Sequence, residues 1–116
     1  MNDKAIRVLI KEPGKDAEQR LIIPTLDTLQ SIVGGWIEFV RFDENTSIIC
    51  NEEGKILFMP PNFYLERIDD VMVGTVIFIG NDNCGGTEGL TDEQVSRVEK
   101  FLDETIKWNE NGGIDR

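Results

Sequence analysis

The sequence predicts an α+β domain: a mostly antiparallel sheet of about five to six strands with two helices, in the order β-β-α-β-β-β-β-α. Three observations predict it. Short β-branched and aromatic runs recur along the chain and are too brief for helices. Two stretches carry apolar residues at helical spacing behind a threonine N-cap, one after Thr25 and one after Thr91. Glycine and proline punctuate the boundaries between these runs. The 116 residues, 40% of them hydrophobic, make one domain by size. Such a chain buries roughly two-thirds of its unfolded surface and needs no metal or disulfide staple. We assign residues 1–108 to the domain and residues 109–116 to a flexible C-terminal tail.

Ala5 to Lys11 reads as a half-buried or central strand, with Ile6, Val8 and Ile10 on one face. Glu12-Pro13-Gly14-Lys15-Asp16 is a turn, because Pro presets φ and Gly accepts a positive one. Glu18 to Ile23 returns as a second strand, stopped by Pro24. Thr25 caps a helix whose Leu26, Leu29, Ile32 and Val33 form an apolar stripe. Gly34 suits the left-handed position that ends it.

The stretch from Thr25 to Asn62 organises the rest. Trp36 to Phe42 is strongly β-prone, and Thr46 to Cys50 is a further strand. Asn51-Glu52-Glu53-Gly54 reads as a tight hairpin, with Gly54 left-handed and Lys55 to Phe58 as the return strand. Asn62 to Asp70 is expected to hold one helical turn. Val71 to Ile79 is the most apolar run and reads as a single core strand, with Gly74 marking a bulge or a close approach. Gly80 to Gly89 is expected to be a flexible loop. Thr91-Asp92-Glu93-Gln94 is a capping box opening a helix to about Trp108, with Val95, Val98, Leu102 and Thr105 as its buried stripe. Both helices are expected on one face of the sheet.

Charge narrows the function. The net charge is −10; residues 1–41 balance six Lys/Arg against six Asp/Glu, whereas residues 42–116 hold six against sixteen. This surface repels phosphate backbones, so direct nucleic-acid binding is not expected. A basic partner, or mimicry of a polyanion, fits it. The chain has no histidine and two distant cysteines, Cys50 and Cys84. Serine–histidine and cysteine–histidine chemistry within one chain is thereby excluded, and no metal or cofactor is expected. No apolar run reaches membrane-spanning length, and Met1-Asn2-Asp3-Lys4 does not open a signal peptide. The expected setting is the cytoplasm, with reduced thiols.

No catalytic set is legible. Glu52 and Glu53 are adjacent carboxylates that diverge on a turn, and with Glu38 they are the only basis for an acid/base enzyme. The 80–89 loop lacks both an EF-hand ligand pattern and a P-loop lysine. Loops on a rigid scaffold often carry function, and the Pro60-Pro61-Asn62-Phe63-Tyr64 connection is the best contact segment. The candidate ligand or partner contacts are therefore Trp36, Glu38, Asn51, Glu52, Glu53, Asn62, Phe63 and Tyr64. The aromatic residues of the central third are read chiefly as core.

Several blocks together resemble a known family. Glu12-Pro13-Gly14-Lys15, Leu29 to Glu38 with its Gly-Gly-Trp-Ile-Glu, Asn51-Glu52-Glu53-Gly54-Lys55, Pro61-Asn62, Val73-Gly74-Thr75 and Leu90-Thr91-Asp92-Glu93 look like the domain-of-unknown-function 3846 family. The resemblance covers nearly the whole chain. It implies a small protein of bacteria, phages or mobile elements, and it supplies no activity and no catalytic residues. The expected function is a non-enzymatic binding or regulatory module with a protein partner, as a monomer or a strand-paired homodimer. The alternatives are an acidic nucleic-acid mimic that inhibits a DNA-binding protein and a small enzyme using carboxylates.

Overall fold

The computed structural model describes residues 4–115. It is an α+β fold of two antiparallel sheets and two helices. The first sheet joins β1 (Ile6–Lys11), β2 (Glu18–Ile22), β3 (Ile37–Asp43), β4 (Thr46–Asn51) and β7 (Val76–Asn81) in the order β2-β1-β7-β4-β3, with the short β8 (Thr87–Glu88) as a sixth strand on β7. The second joins β5 (Pro61–Leu65), β6 (Asp70–Val73), β9 (Lys107–Trp108) and β10 (Ile114–Asp115) in the order β10-β9-β5-β6. The helices are α1 (Leu26–Val33) and α2 (Asp92–Glu104).

β7 lies at the centre because its residues Val76 to Gly80 are buried on both sides. Strict side-chain alternation then splits the core in two. Leu9, Ile48, Val76 and Phe78 face the second sheet and Val98 and Leu102 of α2. Val8, Ile10, Ile49, Ile77 and Ile79 face Leu29 and Val33 of α1. The helices thus cover opposite faces of the main sheet, not one face as expected. Strands apolar on both sides, such as β1 with Leu9 between Val8 and Ile10, require a cover on each. Each fully buried Leu, Ile or Phe contributes about 1.5–3 kcal/mol by leaving water.

Phe42, Phe63, Phe78 and Phe101 join the sheets to α2. Phe42 meets Phe78 edge-on with centroids 5.5 Å apart and Phe101 at 5.1 Å. Phe63 stacks on Phe78 at 5.8 Å and meets Phe101 edge-on at 5.8 Å.

The caps form as expected. Thr25 Oγ1 accepts from the Thr28 amide at 3.2 Å, and Gly34 ends α1 at φ +85°. The Thr91–Gln94 capping box is complete. Gln94 is buried, and its Nε2 also donates to the Asn45 carbonyl at 2.7 Å and to Thr46 Oγ1 at 3.0 Å. The cap therefore also docks α2 onto the β3–β4 turn. Of the α1 stripe, Leu29 and Val33 are buried while Leu26 is exposed.

Six boundaries differ from expectation. The hairpin within the 25–62 stretch closes at Glu44-Asn45, between β3 and β4, rather than at Asn51-Glu52-Glu53-Gly54. Lys55 to Phe58 is not a return strand. The Leu57 amide donates to Glu53 O, Phe58 to Lys55 O and Met59 to Gly54 O, so the segment satisfies its backbone as successive turns. Gly54 is not left-handed; space is its constraint, since a Cβ there would lie 2.8 Å from Val73 Cγ2. Phe58 takes the positive φ, at 55°.

The expected helical turn over 62–70 is mostly β5, followed by a 3-10 turn at Glu66–Ile68. The apolar run 71–79 divides into β6 and β7, which belong to different sheets. Gly74, at φ +70°, makes the break, and a Cβ there would approach Met59 Sδ to 2.7 Å. Finally, α2 ends at Glu104. Thr105 Oγ1 donates to the Tyr64 carbonyl at 2.6 Å and the Ile106 carbonyl accepts from the Tyr64 amide at 2.9 Å. The edge of β5 thus claims residues that helical periodicity assigned to α2. The 109–115 segment, expected as a tail, carries β10, whose Ile114 pairs with Trp108.

Candidate functional site

The eight sequence-singled residues separate into a frame and a surface. Asn62 and Phe63 have no exposed area. Asn62 Nδ2 donates to the Lys11 carbonyl at 2.9 Å and the Gly74 carbonyl at 2.8 Å, and its Oδ1 accepts from Lys11 Nζ at 2.9 Å. It fastens the second sheet to β1, and Phe63 is core. Asn51 is buried as well. Its Nδ2 donates to the Val33 carbonyl at 3.3 Å and its Oδ1 accepts from the Glu53 amide at 2.7 Å, which ties α1 to the turn after β4. These three hold the frame and offer no contact surface.

Tyr64 is half-buried and its hydroxyl donates to Asp69 Oδ1 at 2.7 Å. That hydrogen bond, with Asp69 and Glu66 charge nearby, raises its pKa above the ordinary tyrosine value.

Glu38 and Glu52 come together on one groove of about 200 Å³ between the two sheets. Val40, Cys50, Ile56, Ile68 and Met72 supply its apolar lining. The strands explain the placement. Glu38 is directly opposite Cys50 in the β3–β4 ladder, so both project on the same face. Glu52 follows β4, and its amide donates to the Trp36 carbonyl at 2.8 Å. Across the groove, Lys55 Nζ donates to Asp70 Oδ1, and this bond lowers the Asp70 pKa. Burial, with the Glu38 charge second, pushes the Cys50 thiol up to about 11. At neutral pH it is a protonated, unreactive wall of the groove. Cys84 is also free, and is exposed on the 82–86 turn.

Beside the groove the chain exposes a continuous apolar turn. Ile56 is 74% exposed, Leu57 54% and Phe58 91%, with Trp36 63% exposed at the same end of the molecule. A Cβ at Gly34 would lie 3.7 Å from Met59 Cε, and Gly54 and Gly74 crowd the same methionine, so Met59 anchors the turn from below. Glu53 lies exposed within the turn and Glu52 at its start. The sequence reading missed Ile56, Leu57 and Phe58 as surface residues. The available signal was spacing: between Gly54 and Pro60-Pro61 the run Lys55-Ile56-Leu57-Phe58-Met59 has no polar alternation to fit a half-buried strand.

Among the described residues no cluster of three or more His, Cys, Asp or Glu is placed to hold a metal ion. Among them, too, no helix is long and apolar enough to cross a membrane.

The molecule is therefore a two-sheet α+β fold that carries a small acidic groove beside an exposed apolar turn. The chain belongs to a domain-of-unknown-function family (DUF3846), whose model matches residues 6–103. No curated protein and no solved structure matches it.

Proposed function

We propose that this protein is a binding module that docks a protein partner through the apolar turn Ile56-Leu57-Phe58 and the neighbouring groove. One observation carries the reading: three consecutive large apolar side chains project from a turn whose backbone is hydrogen-bonded and whose base is packed on Met59. Such exposure costs solubility, and contiguous apolar patches on a folded domain mark interaction sites. The turn protrudes, so the fitting partner offers an apolar pocket. Glu38, Glu52 and Glu53 flank the turn, so the rim of that pocket is basic. A regulatory role in phage or mobile-element biology, in the cytoplasm, fits a small acidic domain of this family.

A second reading rests on Glu38 and Glu52 sharing the groove. Two carboxylates in one groove are the minimum for acid/base chemistry. Binding is favoured because Glu38 and Glu52 are both exposed and because Cys50 stays protonated.

Simultaneous replacement of Ile56, Leu57 and Phe58 by Ser tests the proposal. The triple variant keeps the wild-type melting temperature within a few degrees, since it removes exposed groups only. The partner that wild-type protein captures from cells of the source is lost, and raising salt weakens its capture by the wild type. Equal capture by both proteins refutes the reading. In that event, a partner lost on Glu38→Gln with Glu52→Gln alone would transfer the site to the carboxylates.

A further inference from the structure

The two edges of the main sheet are managed differently. β3 is one edge, and it is blunted. Its pairing with β4 shifts register between Arg41 and Asp43, and Arg67 Nη1 donates to the Arg41 carbonyl at 3.3 Å, which occupies an outward group. β2 is the other edge, and among the described residues no strand pairs with its outer side. It pairs in continuous register with β1, from Ile6 opposite Ile22 to Ile10 opposite Glu18, without a bulge. Glu18, Gln19, Arg20 and Leu21 are all exposed, Leu21 to 73%. Proline follows the strand, at Pro24, but does not interrupt it. An uninterrupted edge of this kind is a template for another strand.

We propose that β2 is the seam of a symmetric homodimer, paired antiparallel with β2 of a second copy about a two-fold axis at Gln19. The side chains select that register. With Gln19 opposite Gln19, Glu18 lies opposite the second copy's Arg20, and Arg20 opposite its Glu18. Glu18 and Arg20 share one face of the sheet, because their partners in β1 are Ile10 and Val8. In the single chain they already pair with each other at 2.8 Å, so the swap exchanges like for like. On the opposite face, Leu21 lies over the second copy's Ala17 and loses its exposure. A register centred on Arg20 would set two guanidinium groups face to face and is disfavoured. This surface is independent of the partner-docking turn, which lies toward the β3 edge. A dimer would therefore carry two such turns pointing apart and bind an array of partners more tightly than one copy does.

The test is sedimentation equilibrium of the full chain at about 150 mM salt, where only close charge pairs persist. Wild type is expected to dimerise. Arg20→Glu sets carboxylates against carboxylates, and Glu18→Arg sets guanidinium against guanidinium; each weakens the dimer at least tenfold. Mixing the two variants in equal amounts restores dimers, because each supplies the charge the other lacks. The double variant Glu18→Arg with Arg20→Glu dimerises like wild type. Circular dichroism shows all variants folded, since the substituted positions are exposed. A wild type monomeric up to ~1 mM, where even a weak pair would form, overturns the proposal. Single variants that dimerise like wild type, or a mixture that stays monomeric, overturn it as well.

Discussion

Asn62 shows how one buried polar side chain can decide an interface between sheets. Its amide satisfies two carbonyls and its oxygen takes a bond from the buried Lys11 ammonium. Asn62→Ala removes all three and deprives a buried charge of one acceptor. A loss of about 2–4 kcal/mol is expected, read as a fall in urea midpoint without a change of slope. Cys50 supplies a second residue-level expectation. Its thiol pKa stands at about 11 in the fold against 9.0 as its ordinary value. Because the folded pKa is the higher one, the stability tied to the neutral thiol is complete below 9.0. It is lost as pH rises from there toward about 11, when the unfolded chain gains by ionising first. The loss is on the order of 2–3 kcal/mol. Cys50→Val flattens that alkaline slope in urea titrations from pH 9.0 to about 11; an unchanged slope would mean that the thiol is not desolvated. Asn62 was legible as notable from its setting after Pro60-Pro61, but not as core, since an asparagine's partners come from distant strands.

At the scale of elements, the most telling position is Gly74. It separates β6 from β7 and lets one apolar run serve two sheets. Its φ of +70° suits glycine, and a Cβ would press on Met59 Sδ at 2.7 Å. Gly74→Ala is expected to cost about 1–3 kcal/mol, or roughly 4–8 °C of melting temperature per kcal/mol lost. A variant that melts with wild type would place the break between the sheets elsewhere. Elements that carry their own signals were readable: the Thr25 cap, the Gly34 stop and the Thr91–Gln94 box depend on neighbours three or four residues away. The elements that escaped depend on partners far along the chain. Residues Thr105 to Lys107 leave α2 because β5 lacks an edge partner there. Lys55 to Phe58 stays out of any ladder because β4 is flanked already by β3 and β7.

For the molecule as a whole, the α+β class and the antiparallel pairing follow from run lengths and glycine positions. The split into two sheets does not, because no local pattern says which strands share a ladder. The same gap hid the candidate site. Glu38 and Glu52 drew notice as carboxylates, but only the fold sets them on one groove, and only the fold turns Ile56, Leu57 and Phe58 outward. On the proposed reading, acid on the surface and an apolar projection together fit a partner with a greasy pocket inside a basic rim.

The most direct measurement of that claim is site-specific photo-cross-linking in the cells of the source. A photoreactive phenylalanine analogue is placed at Phe58, and as a control at Ser96, an exposed position on α2. The account predicts one discrete heavier band from position 58, diminished by Glu52→Lys with Glu53→Lys, and no such band from position 96. Equal labelling from both positions, or none from position 58, would contradict it.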